Sequence, residues 1–77
     1  MDRRETTLSV LERISGVPRA ELTEDKQLAG DLGVDSPKAL EMLIELEEKL
    51  EIEIGDEQAG EMATVGDILA FVDRTSG

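Results

Sequence analysis

Seventy-seven residues without a single cysteine or histidine must hold themselves together by packing alone. A core of this size leaves only ~3–5 kcal/mol of net stability, and small domains commonly add a staple. A disulfide is excluded by the missing cysteines. A Cys/His zinc site is excluded because both ligand types are absent. What remains is efficient helix packing. Leu, Ile, Val, Ala, Met and Glu dominate, and aromatic residues make up 1%, a composition of good helix formers. One domain covering residues 1–77 is expected.

Lys plus Arg total 8 against 19 Asp plus Glu, a net charge of −11. Phosphate binding needs clustered Lys and Arg, so nucleic acid is not an expected partner. An anionic membrane would also repel this surface. The attractive partners are proteins with basic patches, reached by fast, salt-sensitive association. Solubility is the simpler use of the charge. The hydrophobic fraction of 39%, spaced helically, argues against disorder. No apolar run approaches the ~20 residues that span a bilayer. The N-terminus, Met1-Asp2-Arg3-Arg4-Glu5, is not followed by a signal-type apolar stretch. The expectation is a soluble cytoplasmic monomer. The Met1 start and short polar tail fit a free-standing chain.

The spacing predicts a first helix from about Arg3 to Ser15. Asp2 and Glu5 have capping-box spacing, and Leu8, Leu11 and Ile14 fall three apart on one face. Gly16 and Pro18 supply the stop. From Val17 to Asp35 the period breaks, with irregular apolar residues at Val17, Leu22, Leu28, Leu32 and Val34. Long connections in small domains are usually functional or disordered. The recurring leucines here predict a segment folded back over the core, with a short turn near Glu21–Asp25.

The second helix is expected from Ser36 or Pro37 to Leu50, with Ser36 or Asp35 as N-cap and Pro37 at the first helical position. Ala39, Met42, Leu43, Leu46 and Leu50 trace its buried stripe, with Leu40 and Ile44 at the edge. Glu41, Glu45, Glu47 and Glu48 are turned towards solvent. Leu50-Glu51-Ile52-Glu53-Ile54 alternates without a partner strand and reads as an extended linker anchored by Ile54. A short third helix follows from about Asp56 to Glu61. Thr64 caps a last helix with Asp67 three residues on, burying Val65, Ile68, Leu69 and Val72, with Phe71 on or near that face. Residues 74–77 are expected to fray.

The informative site is Asp31-Leu32-Gly33-Val34-Asp35-Ser36-Pro37. A serine there opens a helix after a glycine-containing loop. A helix N-terminus offers free N–H groups and partial positive charge, and can hold a phosphate. On local chemistry alone, such a serine is an ordinary N-cap. Self-catalysis is set aside, because a nucleophilic serine needs a base. There is no His, and Lys26, Lys38 and Lys49 form no recognisable motif with Ser36. Calcium fails on spacing. With Asp31 as the first position, an EF-hand loop wants glycine sixth and glutamate twelfth, where Ser36 and Met42 stand.

At this site the sequence resembles the acyl carrier protein family. Three further stretches match in order and spacing: Leu46-Glu47-Glu48-Lys49-Leu50, Glu53-Ile54-Gly55-Asp56-Glu57 and Thr64-Val65-Gly66-Asp67. The resemblance covers nearly the whole chain. It implies an all-α fold, a small four-helix bundle of three longer helices and one short, with a long loop between the first two. It also implies a 4′-phosphopantetheine arm, donated from coenzyme A by a phosphopantetheinyl transferase and attached at Ser36. The thiol of that arm would carry acyl groups as thioesters for fatty-acid, polyketide or related biosynthesis. The chain would be a carrier without catalysis of its own, and no metal is expected. Acyl-transferring, condensing and modifying enzymes with basic docking patches would read the second helix. By position, Asp35, Glu41, Glu47, Glu48 and Asp56 match the family's acidic contacts, and Leu40 and Ile44 its apolar ones.

Three positions depart from the pattern. Pro37 follows the serine where fatty-acid carriers usually have leucine. Lys38 stands where an acidic residue is common, and Gly55 replaces a frequent proline. A specialised carrier is therefore among the readings. An aminoacyl or peptidyl carrier shares the fold and arm, and a non-carrier acidic adaptor is the remaining alternative.

Overall fold

The computed structural model describes residues 2–75. Its elements are α1 (Arg3–Ser15), a 3-10 turn (Arg19–Glu21), α2 (Ser36–Leu50), α3 (Asp56–Gly60) and α4 (Val65–Thr75). These are the three longer helices and one short helix that the sequence predicts.

Each boundary has a chemical cause. Asp2 Oδ1 accepts the Arg4 N–H at 2.9 Å and caps α1. Glu5 does not complete a capping box; its carboxylate reaches Arg19 at 2.5 Å. Arg19 also donates to the Glu5 carbonyl and to Ser9 Oγ. These contacts seat the turn after α1, where Pro18 leads into a 3-10 turn whose Glu21 N–H donates to the Pro18 carbonyl. This turn meets the predicted Glu21–Asp25 stretch only at Glu21, and a second turn, in which the Lys26 N–H donates to the Thr23 carbonyl at 3.1 Å, falls within the predicted position. At α4 the capping box is reciprocal. The Asp67 N–H donates to Thr64 Oγ1 at 3.2 Å, and the Thr64 N–H donates to Asp67 Oδ2 at 3.1 Å. With the Ala63 N–H also donating to it, the Asp67 carboxyl is held below its ordinary range, because hydrogen bonds favour the charged form.

The core is one cluster, built from Val10 and Leu11 of α1, Met42, Leu46 and Leu50 of α2, and Val65, Ile68, Leu69 and Val72 of α4. The long connection contributes Leu22, Leu28, Leu32 and Val34, all buried. It is a wall of the core, as its leucines predict. Leu8, Ile14, Ala39, Leu43, Ile52 and Ile54 pack against the cluster while partly exposed. Phe71 is buried, and its ring lies 5.9 Å beneath the Arg74 guanidinium. Thr7 is buried too, a position its polarity did not suggest. Its hydroxyl is satisfied by donating back to the Arg3 carbonyl at 2.9 Å, the local bond that lets a threonine sit inside a helix.

Two expectations on α2 are corrected. Glu45 and Glu47 are half-buried rather than solvent-facing. Glu45 forms an ion pair with Arg13 of α1. Glu47 Oε2 accepts the Ile54 N–H at 2.9 Å and so anchors the linker. At the other end, α4 stays helical through Arg74 and Thr75, and Thr75 Oγ1 donates to the Val72 carbonyl. The rest of the expected frayed tail, Ser76 and Gly77, lies outside the described residues.

Glu51 caps the C-terminal end of α2 in a left-handed conformation at φ 56°. That conformation disfavours any residue with a Cβ, and a negative charge opposes the helix dipole at this end. Glu51→Gly is expected to stabilise the fold by about 0.5–1 kcal/mol, after the larger unfolded-state entropy of glycine is counted. Thermal denaturation should show a midpoint roughly 4 °C higher.

Candidate functional site

The loop before α2 is tied to the start of α4 by backbone bonds. The Leu28 N–H donates to the Ala63 carbonyl at 2.9 Å, the Val65 N–H to Lys26 at 3.0 Å, and the Gly66 N–H to Glu24 at 3.0 Å. Gly66 allows the close approach, since a Cβ would stand a tight 3.1 Å from the Glu24 carbonyl oxygen. Beyond this bridge the chain turns back on itself. Gly33 adopts φ 67°, which glycine takes without strain, and the Val34 N–H donates to the Leu28 carbonyl at 2.8 Å. Val34 is buried, and it delivers Asp35 and Ser36 to the surface.

Asp35 is the N-cap of α2, with Oδ1 accepting the Lys38 N–H at 3.1 Å and its carbonyl accepting the Ala39 N–H at 2.8 Å. Ser36 is thus the first helical residue, and Pro37 is the second. This arrangement relieves Ser36 of capping. Its side chain is exposed, with the hydroxyl open to an incoming enzyme. It also revises the phosphate expectation. Pro37 has no N–H and the Lys38 N–H is occupied, so of the first three helical residues only Ser36 keeps its own donor for an anion. The helix dipole and the exposed Lys38 side chain supply the remaining positive charge. A phosphodiester on Ser36 Oγ fits this environment.

The other sequence-selected residues lie along α2 and at α3. Leu40 and Ile44 are 60% and 46% exposed, large apolar side chains left uncovered by the bundle. Glu41 and Glu48 are exposed beside them, and Asp56 is exposed in the first turn of α3. Asp35 and Glu47 each also serve the scaffold, as cap and linker anchor. Nothing local marks Glu47 for that duty, because its partner lies seven residues on, across the linker.

An apolar cleft of about 390 Å³ adjoins the start of α2, lined by Leu28, Val34 and Ala39 on one side and Met62, Ala63 and Thr64 on the other. A larger one, about 430 Å³, is bordered by Ser9, Val10 and Arg13 of α1 and by Lys49. Lys49 is roughly 20 Å along the helix axis from Ser36, so this cleft is remote from the serine. Among the described residues no cluster of His, Cys, Asp or Glu could hold a metal ion. No helix among the described residues is long and apolar enough to cross a membrane.

A family profile described as "Phosphopantetheine attachment site" matches residues 5–72. The class is therefore a carrier domain whose prosthetic group is covalent 4′-phosphopantetheine. The acyl carrier protein of Exiguobacterium sibiricum is 37% identical over 95% of this chain and 96% of its own length. That of a Sulfurovum species is 44% identical over 84% and 85%. Among solved structures, a Mycobacterium tuberculosis chain superposes with a TM-score of 0.85 at 32% identity, covering 94% of this chain and 96% of that one. The acyl carrier protein of Enterococcus faecalis superposes at 0.75 with 31% identity, covering 94% and 95%. The chain belongs to the acyl carrier protein family.

Proposed function

We propose that Ser36 bears the arm, and that the protein presents acyl thioesters to enzymes of fatty-acid, polyketide or related biosynthesis without catalysing their reactions. The observation that carries this reading is the division of labour at the start of α2. Asp35 caps the helix, and the neighbouring hydroxyl is exposed. A phosphopantetheinyl transferase would join Ser36 Oγ to the phosphopantetheine phosphate of coenzyme A, breaking the pyrophosphate bond, so that adenosine 3′,5′-bisphosphate leaves and the hydroxyl proton passes to a base of the transferase. Once bound, the arm supplies the thiol that this cysteine-free sequence lacks. The apolar cleft beside Ala39 offers an acyl chain shelter next to its tether. Incubation with coenzyme A and a broad-specificity transferase should add one phosphopantetheinyl group to the intact mass. An unchanged mass would leave the acidic adaptor as the reading.

Partner enzymes would dock on the exposed strip of Leu40, Glu41, Ile44 and Glu48, extended by Asp56. Basic patches complement its charge and steer association. Glu41→Lys should slow arm transfer about tenfold at low ionic strength, with the gap closing as salt screens the surface. Circular dichroism should be unchanged, because Glu41 is exposed. Equal rates at every salt concentration, across several partners, would exclude this face.

A further inference from the structure

We propose that Asp31 is a positioning residue for Ser36, locking the loop that presents the hydroxyl; the inference rests on Ser36 being the attachment point. It starts from the alternation of an extended segment, in which successive backbone groups point to opposite sides. The Lys26 carbonyl and the Leu28 N–H both face the start of α4. The N–H and carbonyl of Gln27 therefore face the other way, towards the turn leading to α2.

Asp31 and its neighbour satisfy both. Asp31 Oδ2 accepts the Gln27 N–H at 2.8 Å. The Asp31 and Leu32 N–H groups donate to the Gln27 carbonyl at 2.9 and 3.0 Å. The result is a ring closed between residues 27 and 32. One side of it is fastened to α4 through Lys26 and Leu28. The other side runs through Gly33 and Val34 into the Asp35 cap. Asp31 is thus the side chain that joins the fixed bridge to the segment carrying Ser36. It is exposed and contributes nothing to the apolar core, so its removal should loosen the loop without dissolving the bundle.

The test compares wild type, Asp31→Ala and Asp31→Asn. Asparagine keeps an oxygen acceptor but no charge. Two readouts are taken: kcat and KM for arm transfer by a broad-specificity phosphopantetheinyl transferase, and amide hydrogen exchange at Gln27. In Asp31→Ala, kcat should fall by about tenfold with KM little changed, because a misplaced reacting group loses rate rather than binding. Gln27 exchange should quicken by about tenfold while amides of α1 and α4 keep their protection. Asp31→Asn should recover most of both. Asp31→Ala that matches wild type in kcat and exchange overturns the proposal. So does a KM increase that asparagine fails to reverse, since that marks a charge contact with the enzyme. If wild type accepts no arm at all, the carrier reading falls, and Gln27 exchange alone then decides whether the lock exists.

Discussion

Ser36→Ala is expected to fold like the wild type and to accept no phosphopantetheine. The first part follows from the position of the side chain. Ser36 is exposed, and the capping duty that makes helix-start serines expensive to lose belongs to Asp35. Alanine is also the best helix former. Stability should therefore stay within about 0.5 kcal/mol of wild type, as for ordinary surface substitutions. The second part follows from chemistry, because alanine has no oxygen to form the phosphodiester. Intact mass after incubation with coenzyme A and transferase should be unchanged, with circular dichroism matching wild type. An arm found on the variant would place attachment at a different hydroxyl and remove the assignment of Ser36.

Leu46→Ala should unfold most of the population at 37 °C. Leu46 is fully buried in the middle of α2, within the cluster shared by α1, α2, α4 and the loop. Such truncations typically cost ~2–5 kcal/mol through lost transfer energy and residual cavity. A domain of this size holds only ~3–5 kcal/mol in total. No disulfide or metal cluster among the described residues backs up the core. Urea denaturation followed by circular dichroism should show a midpoint near zero or a missing native baseline. Leu40→Ala is the control. At 60% exposure it should change stability by roughly 0.5 kcal/mol or less.

Local rules made the helices legible. The three-residue spacing of Leu8, Leu11 and Ile14 marked α1. The stripe through Met42, Leu46 and Leu50 marked α2, and the Thr64–Asp67 box marked the start of α4, because each is settled within one or two turns of chain. The features that escaped are non-local. The pairing of residues 24–28 with 63–66 joins segments almost forty residues apart, and neither has a period of its own. Glu47 looks like any glutamate on a polar face until Ile54 is brought beneath it. The retreat of Glu45 from solvent likewise depends on Arg13 from another helix. At the candidate site, the resemblance marked Ser36 and its acidic surroundings. It did not separate Asp35 the cap and Asp31 the fastener from the free charges at Glu41 and Glu48, because that distinction lies in hydrogen bonds rather than residue types.

The ties between Lys26, Leu28, Val65 and Gly66 also impose an order in time. Residues 24–28 are synthesised before residues 63–66, so the earlier half of each tie is made before its partner exists. Until residues 63–66 have been added and have left the exit tunnel, the presenting hairpin has nothing to fasten to. The loop that presents Ser36 thus takes its final shape only once both segments are free of the ribosome.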